Sequence, residues 1–207
     1  MPKHQPIGLG LDFGTESVRA LLVRVDGTEL ASAVVRYRHG QMTERLHTTG
    51  ERLPPDFALQ DPQDWIDSAA RAVKTALRKS RAAADDVVSI GVDFTSCTML
   101  PAAADGTPLC QLAEFRDEKF AWPKLWKHHG AKSQTDRINQ LARDTRQPWL
   151  ARYGNIIGLE WFFPKILETL EAAPGVYRAA DVWIEAGDWF VWQLVGGPAA
   201  DLPRSTC

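Results

Sequence analysis

"GLDFGTESVRALLVRVDG", Gly10 to Gly27, is the stretch from which the rest of the chain is read. A β-prone apolar run ends at Asp12, passes through Phe-Gly-Thr-Glu-Ser, and resumes at Val18 until Asp26-Gly27 stops it. Short apolar runs between turn residues predict strands over Ile7–Phe13, Val18–Val25 and Glu29–Tyr37, joined as an antiparallel meander. The "FGTES" turn has two readings on local grounds. It is a hairpin tip whose carboxylate is satisfied by neighbouring backbone, or it is a seat for phosphate and metal. Asp12 is a hard oxygen ligand of the kind Mg²⁺ takes, usually through water. Gly14 lets the backbone turn tightly and bare its N–H groups, Thr15 and Ser17 add hydroxyls, and Arg19 supplies charge against phosphate oxygens. Protein kinases also carry Asp-Phe-Gly, but behind a Gly-rich loop, a strand lysine and a catalytic aspartate, none of which precedes residue 12.

The chain has 207 residues, 44% of them hydrophobic and 24% charged, which suits an ordinary globular protein of one domain, at most two. With 24 basic and 26 acidic residues the net charge is -2, so nothing argues for a nucleic-acid or membrane footprint and small-molecule chemistry is expected. Cys97, Cys110 and Cys207 show neither Cys-x-x-Cys nor Cys/His spacing and read as reduced thiols. "MPKHQPIGLG" has no signal-like apolar segment, and Glu185 and Asp188 interrupt the richest apolar run, so the cytoplasm is the expected compartment.

Arg38 to Leu59 is polar, contains Pro54-Pro55 and shows no period, which predicts a long loop. Asp61-Pro62-Gln63-Asp64 predicts a helix start with Asp61 as N-cap, followed by an apolar stripe of Ile66, Ala69, Ala70, Val73 and Leu77. "VVSIGVDF", Val87–Phe94, reads as a central strand covered on both faces and parallel to the first. A hairpin turn is expected at Asp105-Gly106, and helices over Glu118–His129, Lys132–Arg143, Leu159–Ala172 and Glu185–Val195, the last closed by Gly196-Gly197. The order predicts an α/β fold in which helices flank a mixed sheet.

Ligands of such sheets gather where parallel strands end, which singles out Asp12 and Asp93. Asp93 opens "DFTSCT", whose small polar side chains leave room for a polyhydroxylated ligand. Cys97 has no histidine near it in sequence and reads as a buried, inert thiol. His128 and His129 would point about 100° apart on a helix, against metal ligation. Most of Trp161, Trp183, Trp189 and Trp192 read as core, since they lie in apolar runs. Glu160, in "GLEWFFPKIL", needs a ligand hydroxyl or a nearby cation to justify a carboxylate in so apolar a setting.

"GLDFGTESVRALLV", "IGVDFTSCTMLPAAADGTPL", "LWKHHGA", "GLEWFFPKILETL" and "DVWIEAGDWFVWQLVGG" resemble, in order, the N-terminal half of the FGGY carbohydrate kinases, and within them the ribulokinase branch. That family has two actin-like (ribonuclease H-like) ATPase domains, the first holding mainly sugar and the second mainly ATP. The resemblance makes residues 1–207 the sugar-binding domain, with the nucleotide-binding domain and the catalytic base expected beyond Cys207. It implies ATP and Mg²⁺ as cofactors, the metal at Asp12 and the phosphates at Gly14, Thr15 and Arg19. It implies a sugar site shaped by Ser96, Cys97, Trp126, Lys127 and Glu160, where Ser96-Cys97 replaces the bulky Arg-Glu pair of glycerol kinases and makes room for a ketopentose. The activity implied is ATP-dependent phosphorylation of L-ribulose, or of a related pentulose or polyol such as xylulose or ribitol. The chain alone is expected to be inactive, as it would be if it were a non-catalytic sugar-binding half-protein. The expected partners are sugar and ATP, without nucleic acid or membrane, and a homodimer is left open.

Overall fold

The computed structural model describes residues 6–202, 204 and 205; Met1–Gln5 and Cys207, expected as a reduced thiol, lie outside them. The chain divides into two compact units, one from the described parts of Met1–Gln41 and Asp61–Thr95, the other from those of Met42–Gln60 and Ser96–Cys207.

In the first unit, strands β1 (Ile7–Phe13), β2 (Ser17–Arg24) and β3 (Glu29–Arg36) form the expected meander, and β4 (Val87–Phe94) joins parallel to β1. Alternation sends Ile7, Leu9, Leu11, Phe13, Val18, Ala20 and Leu22 to one buried face. Helix α1 (Pro62–Ser80) packs on β2 and β3. Asp61 caps it as expected, accepting the Gln63 N–H at 2.9 Å. Asp64 turns instead to His39, taking its backbone N–H at 2.7 Å and facing its ring Nδ1 at 3.0 Å.

Two expectations for this unit are corrected. The buried stripe of α1 is Trp65, Ser68, Ala69, Ala72 and Ala76, about one residue round from the one read from sequence, and Ala70 is exposed. Trp65 sets that rotation, because its indole meets the Phe94 ring edge-on at 5.0 Å. β4 is not central: among the described residues the order is β3-β2-β1-β4, and Val88 and Ile90 are 66% and 50% exposed. An apolar run fits a covered strand, yet α1 packs mainly on β2 and β3 and meets β4 through Trp65 against Phe94, at the end of the strand.

In the second unit, β5 (Met99–Ala102) pairs antiparallel with β6 (Val182–Glu185), beside helices α2 (Lys132–Asp144), α3 (Phe162–Ala172), α4 (Pro174–Ala179) and α5 (Ala186–Val195). The Asp105-Gly106 turn forms as expected, with the Gly106 N–H on the Ala103 carbonyl at 2.9 Å. Gly196 closes α5 at φ 68°, also as expected. No helix spans Glu118–His129. A 3₁₀ turn at Lys119–Ala121 gives way to extended chain, where Lys124 exchanges backbone bonds with Met99 at 2.8 and 3.0 Å. Pro123 explains the break, since it holds Trp122 out of the helical region at φ −85°, ψ 150°. α3 starts three residues late, at Phe162, and Glu185 ends a strand that the sequence reading missed. The predicted loop 38–59 is more than a loop: Met42, Leu46, Leu53, Phe57 and Leu59 join Leu109, Trp122 and Val176 in this unit's core.

The same unit buries a charged cluster. Lys124 Nζ donates to Glu168 Oε2 at 2.5 Å, Thr169 Oγ1 at 2.7 Å and the Lys165 carbonyl at 3.0 Å, so all three of its protons are used. His128 Nε2 lies 2.9 Å from Glu168 Oε2, and its Nδ1 accepts the Ala58 N–H at 3.3 Å, which fixes a neutral ring protonated at Nε2. Burial, reinforced by the Lys124 and Lys165 charges against the pull of Glu168, presses the His128 pKa down to about 4.

Candidate functional site

The first unit carries an acidic turn at the carboxyl ends of β1 and β4. Asp12 and Asp93 are register partners on the open face of the sheet, while Phe13 and Phe94 stack at 4.5 Å on the covered face. Asp12 is also the cross-strand partner of Arg19, with Arg19 Nη1 3.8 Å from Asp12 Oδ2. The turn is tied down by Tyr37, which donates its hydroxyl to the Gly14 carbonyl at 3.0 Å. Burial raises the pKa of that phenol well above its usual value, and the charges of Asp12, Asp64 and Glu16 raise it further. Gly14 does not bare its N–H as expected, because that group donates to the Ser17 carbonyl at 3.0 Å and closes the hairpin. The donor set fits a hydrated divalent cation: the Asp12 side chain is 55% exposed, with a second carboxylate in register beside it.

The second unit holds a cavity of about 830 Å³, within the range of small-molecule sites. Trp149, Tyr153, Trp161, Phe162 and Phe163 supply aromatic walls, Ile138, Ile157 and Pro164 aliphatic ones, and Ser96, Cys97, Glu185 and Ser205 the polar lining. The Tyr153 and Trp161 rings meet edge-on at 5.0 Å. Asn139 on α2 fixes the Ile157 backbone, donating to its carbonyl at 2.9 Å and accepting its N–H at 2.7 Å. Aromatic faces with a few hydroxyl, thiol and carboxyl groups suit a ligand with both C–H faces and hydroxyls.

Of the residues singled out in the sequence, Ser96 and Cys97 reach this cavity, and Trp126, Lys127 and Glu160 are not part of its wall. Trp126 is exposed, with its N–H on Thr98 Oγ1 at 3.1 Å, and Glu160 is half-buried ahead of α3. Cys97 is half-buried on the cavity wall, not a core thiol. Trp189 and Trp192 are core as expected, whereas Trp161 lines the cavity and Trp183 is half-buried. Sequence reasoning missed Glu185, Lys165, Lys124 and Glu168. The test applied to Glu160, a charge inside an apolar run, would have found Lys165 and Glu168 in "FFPKILETL" and Glu185 in "DVWIEAGDW".

The meander with a parallel fourth strand and flanking helices is the actin-like ATPase fold of sugar kinases. A xylulose kinase from Brucella ovis superposes with a TM-score of 0.68 at 18% identity, covering 90% of this chain and 33% of that one. A xylulose kinase from Bifidobacterium adolescentis does so with a TM-score of 0.68 at 16% identity, covering 98% and 37%. Residues 7–204 match the N-terminal domain of the FGGY family of carbohydrate kinases, and the chain belongs to that family. It is 53% identical over 190 residues to a ribulokinase of Mycolicibacterium smegmatis, covering 91% of this chain and 34% of the relative. It is 42% identical over 199 residues to one of Geobacillus thermodenitrificans, covering 96% and 35%. The chain thus spans about a third of the length of these relatives.

Proposed function

We propose that residues 1–207 form the sugar-binding domain of a kinase that moves the γ-phosphoryl group of ATP to the 5-hydroxyl of L-ribulose. The observation that carries this reading is the aromatic cavity with Ser96 and Cys97 on its wall, in a chain 53% identical to a ribulokinase. The cavity residues bind and orient the sugar, stacking aromatic faces on its C–H groups. In the acidic turn, Asp12 would hold hydrated Mg²⁺ and Thr15 and Arg19 would bind the phosphates, while Tyr37 keeps the turn in shape. Mg²⁺ supplies neutralisation of the phosphate charge, which phosphoryl transfer requires together with in-line placement and a base for the attacking hydroxyl. No residue of this chain is assigned as that base, so the chain alone binds sugar without turnover. With ATP as phosphoryl donor and Mg²⁺ as cofactor, the cytoplasm is the compartment this reading expects for the working enzyme.

Calorimetric titration with L-ribulose, xylulose and ribitol tests the reading: L-ribulose should bind best, and a preference for xylulose or ribitol would reassign the substrate within the family. ATP-dependent phosphorylation of ribulose by the isolated chain would overturn the claim that the base is missing. In the complete kinase, Asp12→Ala should abolish turnover and leave sugar binding intact; normal turnover would remove Asp12 from the mechanism.

A further inference from the structure

The polar corner of the cavity is held from behind its wall. Ser96 and Cys97 line the cavity, and Cys97 sits in the left-handed region at φ 64°, which costs a residue with a Cβ and persists only where the surroundings enforce it. Thr98, the next residue, is fixed twice: its carbonyl accepts the Ala186 N–H at 2.7 Å and its Oγ1 the Trp126 N–H at 3.1 Å. The Cys97 carbonyl is therefore the point where fixed chain turns into cavity wall. Lys165, fully buried on α3, grips that point, its Nζ donating to the Cys97 carbonyl at 2.7 Å and to the Leu125 carbonyl at 2.8 Å. Lys165 is secured in turn by the charged cluster: its own carbonyl accepts from Lys124 Nζ at 3.0 Å and from Thr169 Oγ1 at 3.1 Å.

We propose that Lys165 is a positioning residue of this cavity: through the Cys97 carbonyl it holds the Ser96–Cys97 corner in the shape that receives a polyhydroxylated ligand. The ligand class rests on the sugar-binding reading above. Lys165 is not part of the cavity wall, so it acts on the ligand through Ser96 and Cys97, which are. An ammonium suits the task. Its hydrogen bond to a carbonyl is roughly twice as strong as one from a neutral donor, and inside a domain water does not compete for it. That strength is set against the cost of keeping Cys97 left-handed. The second bond, to Leu125, ties the corner to the extended chain in which Lys124 pairs with Met99, so the corner is referenced to the edge of β5.

Wild type labelled with ¹⁵N-lysine and ¹³C-carbonyl cysteine tests the hold without any variant. Lys165 Nζ and the Cys97 carbonyl carbon should show a coupling across their hydrogen bond, and a resolved Lys165 signal without one overturns the inference. On saturation with L-ribulose the Cys97 carbonyl signal should shift, while that of Cys110, buried beside Leu109 and Trp122, stays in place. Ribulose binding that leaves the Cys97 signal unmoved overturns the inference, while the sugar reading survives. A coupling seen with no ribulose binding overturns the sugar reading and leaves the hold on the corner. In calorimetry, Lys165→Met should bind L-ribulose about tenfold more weakly than wild type, the worth of one charge-assisted hydrogen bond. Glycine takes the left-handed conformation freely, so in a Cys97→Gly background the same substitution should cost a smaller factor. A merely structural role for Lys165 would cost the same factor in both backgrounds; that result overturns the inference, as does full affinity in Lys165→Met.

Discussion

Glu168→Leu removes the carboxylate from the buried cluster of the second unit and leaves Lys124 charged with no anion beside it. Lys124 keeps its bonds to Thr169 Oγ1 and the Lys165 carbonyl, at 2.7 and 3.0 Å, but loses the 2.5 Å bond to Glu168 Oε2. The His128 Nε2 proton loses its acceptor at 2.9 Å in the same step. Breaking a buried pair from one side costs about 3–5 kcal/mol, because the surviving charge stays desolvated. At roughly 2–4 °C per kcal/mol for a chain of this size, the melting temperature should fall by about 6–20 °C. Lys124→Met combined with Glu168→Leu removes both charges at similar volume and should regain about 2 kcal/mol or more over the single variant. Urea unfolding of wild type, both single variants and the double, followed by tryptophan fluorescence at about pH 7.5, measures the coupling. The reasoning is refuted if Glu168→Leu lies within about 1 kcal/mol of wild type, or if the double variant is no more stable than Glu168→Leu.

Acid should act on the same cluster through His128, whose folded pKa of about 4 lies below its ordinary 6.5. The unfolded chain takes that proton first, so the contribution is fully present above about pH 6.5 and is lost as pH falls toward 4, on the order of 3 kcal/mol in all. Urea midpoints between those limits should slope less in His128→Asn, and an unchanged slope would count against the neutral ring. Gly130→Ala puts a Cβ 2.5 Å from Glu168 Oε1, 2.8 Å from His128 Nε2 and 2.9 Å from Phe57 Cε2, and should cost about 1–3 kcal/mol in thermal unfolding. Asn139→Ala strips both backbone partners from Ile157 at the cavity wall; it should cost about 2–3 kcal/mol and weaken sugar binding, and full affinity would show that the wall does not depend on Asn139.

What was legible in the sequence was local. The meander, the Asp61 cap and the Gly196 stop each follow from a few neighbouring residues whose backbone demands are strong. What was not legible depended on distant partners. Val87–Phe94 has the composition of a covered strand, but among the described residues it pairs only with β1, at the end of the sheet. A helix across Glu118–His129 required ignoring Pro123, and the extended path there exists because Met99 and Leu59 lie alongside to pair with Lys124. The site divides in the same way. Ser96 and Cys97 were visible as small polar residues after a strand, and they line the cavity. Trp149 and Tyr153 join them from the Pro148–Tyr153 segment, close to Ile157, whose backbone is held by Asn139 from another element.

The excursion of residues 42–60 bears on how the protein is made. Met42, Leu46, Leu53, Phe57 and Leu59 leave the ribosome early, yet their core partners run from Leu109 to Val176. During synthesis those side chains lack these partners until Leu109 follows, 50 residues after Leu59, which marks this hairpin-like stretch as a site where a chaperone or a stray copy would bind first. Expression of residues 96–207 alone would fail for the same reason, since half of that core is encoded before α1.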